Sequence, residues 1–219
     1  MGSPRSLVIV GTSHVSRESV KKVIELIKQE KPDVLAVELC PTRLALLSNV
    51  KGLSWRPRAT GLIEFLANLL ELAYGFREGV FPGEEMAVAV AEASKQGIPV
   101  CPVDLDIREI MSRVNRVSML ERLKFMFFAV MAMLASPSMG EVKGDSLLKL
   151  ISEFKREFPS MYKVLIEERN NRMVNAVKNL FNAGYRKVML ITGLGHIPGL
   201  LEFLRKLSLN FKVKVVRTI

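Results

Sequence analysis

Histidine is nearly absent from this chain, at two of 219 residues, and cysteine is as scarce, with only Cys40 and Cys101. Two cysteines do not make a disulfide framework, and both fall at or near expected strand ends, where buried reduced thiols are common. Aromatic residues are 7% of the chain and tryptophan occurs once, at Trp55. No RNA- or DNA-binding motif is present, and the basic residues are spread along expected helices. The net charge of +10 is therefore read as a solvated basic surface, with no nucleic acid as partner. The longest apolar run is Phe125 to Ala135. That falls short of the ~20 residues a spanning helix needs. The first apolar run, Leu7 to Val10, is too short for a secretory signal.

What the chain does have is a repeated pattern around its two histidines. Gly11-Thr12-Ser13-His14 follows Leu7 to Val10, and Gly193-Leu194-Gly195-His196 follows Val188 to Ile191. Glycine is 14 of 219 residues, so a given histidine has a glycine three places earlier about 6% of the time. Both histidines share that spacing. A strand, a glycine turn and a histidine place an imidazole at the carboxyl end of a strand. In an open α/β sheet that edge is where ligands bind.

Hydrophobic spacing predicts a strand at Leu7–Val10, a helix over Ser16–Gln29 and a second strand at Val34–Val37, a βαβ unit with parallel strands. Short and longer helices are expected at Pro41–Leu47 and Gly61–Tyr74, with a basic loop at Lys51–Thr60 and a Gly/Pro-rich turn at Gly75–Gly83. Helix Glu84–Gln96 closes at Gly97 and leads to a third strand, Ile98–Val103. Helices follow at Ile107–Val114, Ser118–Ala135, Ser146–Phe158 and Ser160–Ala183. Then come a strand at Lys187–Thr192, a helix at Pro198–Leu207 and a strand at Phe211–Val216. The expectation is one α/β domain over residues 1–219 with a mostly parallel central sheet flanked by helices. A helical insert at about 107–183 separates the third and fourth strands.

His14, Glu38, Asp104 and His196 all stand at or just beyond expected strand ends. Two imidazoles with one or two carboxylates suit a divalent transition metal that keeps an open position for water. Simpler roles compete. Asp104 and Asp106 can cap the helix at Ile107, Glu84 and Glu85 suit the positive end of a helix dipole, and Glu168 can pair with Arg172 one turn on. The Met- and Phe-rich stretch within Ser118–Ala135 is expected to bury that face in a helical subdomain or a partner, a homodimer being the simplest.

The chain resembles the TraB/PrgY family, which includes the bacterial pheromone-shutdown proteins. It is similar to the Tiki Wnt-cleaving proteases and, more distantly, to the erythromycin esterase and haem-binding ChaN group. The resemblance runs from Leu7 to about Val216. It rests on Gly11 to His14, Val37-Glu38-Leu39-Cys40 with Arg43, Gly83-Glu84-Glu85-Met86, Val103-Asp104, Glu168-Arg169-Asn170 with Met173, and Gly193 to His196. It implies a metal-dependent hydrolase fold in which His14, His196 and Glu38 serve proteolysis, as metal ligands or base. Arg43, Glu85, Asp104, Glu168, Arg169 and Asn170 match further family positions, and Gly11 and Gly193 the motif glycines. Where the family often has Asp-Arg-Asp or Asp-Arg-Pro, this chain has Asp104-Leu105-Asp106. Many family members carry carboxyl-terminal membrane helices, so the chain is expected to be the soluble domain of a longer membrane protein.

The functional expectation is a hydrolase of peptides that uses Mn, Co or Zn, with Glu38 or Glu85 as general base. The other class is a regulatory module that captures a signalling peptide or a haem-like ligand without turnover.

Overall fold

The computed structural model describes residues 4–12, 17–49, 84–135, 144–207 and 211–218. The expected loop at 51–60, helix at 61–74 and turn at 75–83 lie outside the described residues, and so does His14.

Five strands form one sheet: β1 (Ser6–Thr12), β2 (Val34–Val37), β3 (Val100–Pro102), β4 (Lys187–Gly193) and β5 (Lys212–Thr218). Their order across the sheet is β3-β2-β4-β1-β5 and every pairing is parallel. The continuous apolar runs of β1, β2 and β4 are the mark of strands covered on both faces. Alternate residues point to opposite faces, so these strands feed two cores. Leu7, Ile9, Val34, Ala36, Val188 and Leu190 pack on one side; Val8, Val10, Leu35, Val37, Met189 and Ile191 pack on the other.

Each face is closed by helices whose apolar stripes match it. Helix α1 (Arg17–Glu30) and helix α3 (Glu84–Lys95) cover the second face through Val23, Ile27, Met86, Ala89 and Ala93. The first face is covered by α8 (Glu168–Asn182) through Met173, Val174, Val177 and Phe181, and by α9 (Ile197–Lys206) through Ile197, Leu200 and Leu204. Gly97 and Gly184, just past α3 and α8, adopt φ of 68° and 102°, the left-handed conformation glycine takes without strain. This is the α/β architecture read from the sequence.

The neighbours β1 and β4 send their following helices to opposite faces, α1 to one and α9 to the other. Such a reversal opens a crevice outside the carboxyl ends of the two strands. Register places Thr12, the last residue of β1, beside Gly193, the last of β4. The two Gly-x-x-His segments therefore begin side by side.

The insert holds α4 (Ile107–Val114), α5 (Met119–Ala135), α6 (Gly144–Glu157) and the short α7 (Pro159–Tyr162), with its own core of Leu105, Ile110, Val114, Phe158, Met161 and Val164. Phe125 on α5 stacks against Phe154 and Phe158, with centroids 5.8 and 5.4 Å away. The insert thus takes the inner face of α5. The outer face, with Met119, Leu120, Leu123, Phe127 and Met131, is exposed. Among the described residues, no helix is long and apolar enough to cross a membrane.

The single helix expected over Ser160–Ala183 is instead interrupted. Lys163–Glu167 forms a π turn between α7 and α8. Helical spacing in the sequence cannot register this, because one wide turn barely disturbs the apolar pattern. It stands immediately before Glu168-Arg169-Asn170. Such turns recur at functional sites.

Candidate functional site

The site is assembled around Glu38, the first residue past β2. Val37 pairs with Ile191 across to β4, and the Glu38 N–H donates to the Ile191 carbonyl at 3.0 Å. The glutamate is thereby held level with Thr192 and Gly193. Its Oε2 accepts from the Thr192 hydroxyl at 2.5 Å and from the Gly193 N–H at 2.7 Å. Its Oε1 accepts from Arg169 Nη2 at 2.5 Å and lies 3.2 Å from His196 Nε2.

Arg169 reaches in from the first turn of α8. Its Nε and Nη2 donate to the two oxygens of Asp104, at 3.0 and 2.7 Å, while Nη2 also holds Glu38. The Glu38 and Asp104 side chains are each 7% exposed, and that of Arg169 is 19% exposed. Burial alone would lower the Arg169 pKa, but the charges of Glu38 and Asp104 outweigh it and push it up. The guanidinium is a locked cation joining two carboxylates from the ends of two strands.

His196 ends a 3-10 turn, Leu194–His196, that runs straight into α9. Its Nδ1 lies 2.7 Å from Asn170 Oδ1, and both residues are buried. Four of the residues singled out from the sequence, Glu38, Asp104, Arg169 and His196, thus meet in one network, with Asn170 behind the imidazole.

The sequence model of the TraB/PrgY/gumN family matches residues 2–210. The chain belongs to this family. Among its relatives are an uncharacterized protein of Methanocaldococcus jannaschii, 30% identical over 92% of this chain and 54% of its own, and the TraB domain-containing proteins of mouse and human, 27% and 26% identical over 88% of this chain and 61% of theirs. The chain therefore spans little more than half the length of these relatives. Among solved structures, one titled for cofacial heme binding to ChaN of Campylobacter jejuni aligns with 96% of this chain and 80% of that one, at 14% identity and a TM-score of 0.42.

The other positions that carried the family resemblance fall in different places. Glu168, next to Arg169, turns away from the network and pairs with Arg113 at 2.5 Å rather than with Arg172. It ties the insert to α8. Asp106 caps α4 by accepting from the Arg108 N–H at 2.9 Å, which leaves Asp104 to the site. Glu85 is fully buried in the first turn of α3, and Arg43 is half-buried on α2 (Pro41–Asn49). The two motif glycines have different reasons. A Cβ on Gly11 would collide with Ile197 Cδ1 and come within 2.8 Å of Leu194 Cδ2, so glycine lets the turn bearing His196 pack on β1. Gly193 has φ of −62°, open to any residue; its contribution is the N–H given to Glu38.

Two residues of the site went unread in the sequence. Thr192 gives its hydroxyl to Glu38. Gly199 lies against Asn170, where a Cβ would collide with Nδ2. A threonine beside a glycine turn and a glycine inside a helix are each too common to be noticed without the fold.

A metal centre on Glu38 meets an obstacle. Three acceptor positions of Glu38 hold donors, Arg169 at one oxygen and Thr192 and Gly193 at the other, and His196 Nε2 faces the fourth. A divalent ion on Oε1 would also sit beside the Arg169 cation. Among the described residues, no group of three His, Cys, Asp or Glu is arranged to hold an ion.

Proposed function

We propose that this domain of the TraB/PrgY/gumN family is a hydrolase acting on peptide bonds, with His196 as its general base. The observation that carries the reading is the buried His196 Nε2 facing Glu38 Oε1 at 3.2 Å, at the carboxyl edge of the sheet where β4 meets β1. Without a proton between them these two atoms are opposed acceptors. A proton taken from water onto Nε2 converts that repulsion into an ion pair. Glu38 is then the partner of the imidazolium rather than the base, and Arg169 holds Glu38 in position. General-base catalysis of this kind contributes about 10²–10⁴-fold.

His14, outside the described residues, is the second imidazole that the sequence offers to the reaction. A Mn, Co or Zn ion held by the same His196 imidazole is the competing reading. The steps above pass through none.

The test is a peptide-library cleavage assay on wild type, His196→Ala and Glu38→Gln, each with chelator and with added Mn²⁺, Co²⁺ or Zn²⁺. The reading expects cleavage that survives chelation and falls at least about 10²-fold in His196→Ala. Cleavage abolished by chelator and restored by one ion would return the metallohydrolase. Cleavage undiminished in His196→Ala would refute the reading. Silence with every peptide would favour the module that captures a ligand without turnover.

A further inference from the structure

Helix α5 is packed on one side only. Phe125 turns inward onto Phe154 and Phe158 in the core of the insert. On the other side Met119, Leu120, Leu123, Phe127, Phe128 and Met131 form a stripe, because residues three, four and seven apart share a helix face. Their exposures run from 47% to 80%. At roughly 200 Å² for a side chain of this size, the stripe leaves roughly 700 Å² of apolar surface in water. The largest contiguous patch on a folded monomer is ordinarily about 300–600 Å². A standard interface covers about 800 Å² on each partner, so one α5 laid on another comes close to what a stable dimer needs.

The charges of α5 decide what kind of partner fits. Glu121, Arg122 and Lys124 are its charged residues, and all stand near its start. Each is committed to its own fold. Glu121 accepts from the Ser160 and Met161 N–H groups at 2.8 and 2.9 Å. Arg122 donates to Asn115 Oδ1 at 3.2 Å, and Lys124 pairs with Glu157 at 3.0 Å. From Phe125 to Ala135 the helix carries no charge. A charged peptide or an anionic membrane would find no uncommitted ion on this helix, whereas an equally apolar face finds its match.

The stripe is also close to symmetric about its middle. Phe127 is the central residue of the 17-residue helix, and Leu123 and Met131 stand four residues to either side. Two α5 helices crossing antiparallel at Phe127 would set Phe127 against Phe127, and Leu123 of each copy against Met131 of the other. Such self-complementarity is what a two-fold dimer requires. The crossing also sends the two charged starts to opposite ends, where a parallel pair would bring them together.

We propose that α5 is a homodimer interface, two copies of this chain packing antiparallel through the stripe centred on Phe127. The test is sedimentation equilibrium of the whole chain at about 1–100 µM, a range that captures a dimer of ordinary affinity. The expected mass is twice the 24.5 kDa of one copy. Phe127→Glu and Phe127→Lys each set like charges at the crossing, and each should weaken association at least about 30-fold, as loss of a central aromatic anchor does. An equimolar mixture of the two sets glutamate against lysine and should recover mixed dimers. Val213→Glu, on the exposed edge strand β5, should leave association unchanged. These positions are exposed, and circular dichroism with a cooperative urea transition checks that each variant is folded. Both copies are basic, so the dimer should hold or tighten as salt rises, where attraction to an anionic surface would fade.

A mass of 24.5 kDa across the whole range, or a dimer that withstands Phe127→Glu, would overturn the proposal. Absence of mixed dimers would overturn the antiparallel crossing. A monomer that floats with phosphatidylserine vesicles, and stops doing so in Phe127→Glu, would assign the face to a membrane and overturn the dimer. None of these readouts depends on cleavage of a peptide, so the hydrolase reading stands or falls separately.

Discussion

Replacing Arg169 with methionine tests the network at its centre. The side chain makes three short contacts to carboxylates: 3.0 and 2.7 Å to Asp104 and 2.5 Å to Glu38. Methionine fills much of the same volume but carries no charge. The loss therefore falls on the carboxylates, which stay buried without the guanidinium. Breaking a buried pair by removing one partner costs about 3–5 kcal/mol, and here one residue serves two acids, so the upper half of that range is expected. With a urea slope of roughly 2–3 kcal/mol/M for a domain of this size, the midpoint should fall by roughly 1.3–2.5 M. The triple variant Glu38→Gln, Asp104→Asn, Arg169→Met should recover at least half of that fall, because no charge is then stranded. Arg169→Lys should rank between wild type and methionine, since an ammonium cannot span both acids as the planar fork does. The assay is urea denaturation followed by far-UV circular dichroism at neutral pH. A fall of less than about 0.4 M for Arg169→Met, or a triple variant no more stable than the single one, would refute the account of a buried cation clamp.

Two further outcomes follow from the fold. Gly11→Ala should destabilise by about 1–3 kcal/mol in the same assay, as overpacking does, because its Cβ would meet Ile197 and Leu194; a neutral substitution would show that the turn bearing His196 gives way freely. Lys187 and then Lys214 hold the Glu30 carboxyl below its ordinary value of 4.5, and the Arg108 N–H and then the Thr42 hydroxyl hold Asp106 below 3.8. A carboxylate with a lowered folded-state pKa stabilises above the ordinary value, and that contribution is lost as pH falls through the lowered one. Urea midpoints should accordingly drop on acidification below about pH 4.5, and drop less in Glu30→Gln, with equal pH slopes counting against the assignment.

The sequence by itself determined the layout. Unbroken apolar runs such as Val188 to Ile191 mark strands covered on both faces, and helical spacing between them requires crossovers, so a parallel α/β sheet follows from local pattern alone. The repeated Gly-x-x-His spacing and the strand-end positions of Glu38 and Asp104 were legible for the same reason. A residue just past a parallel strand is delivered to the carboxyl edge whatever the rest of the chain does.

The tertiary structure decided what those residues do to one another. Arg169 and Asp104 are 65 positions apart and Arg169 and Glu38 are 131 apart, and no local pattern shows that a guanidinium will lie between the two acids. Glu168 and Arg169 are adjacent and equally polar, yet one ties down the insert and the other enters the site. Successive helical residues point about 100° apart, so the packing of α8 decides which of the two enters the site. Gly199 reads as an ordinary glycine in a helix until α8 is packed beside it and Asn170 needs the space. The reason is the same in each case. Strand and helix formation are fixed within a few residues, whereas the partner of a buried charge is fixed by whichever distant group the packed core brings within about 3 Å.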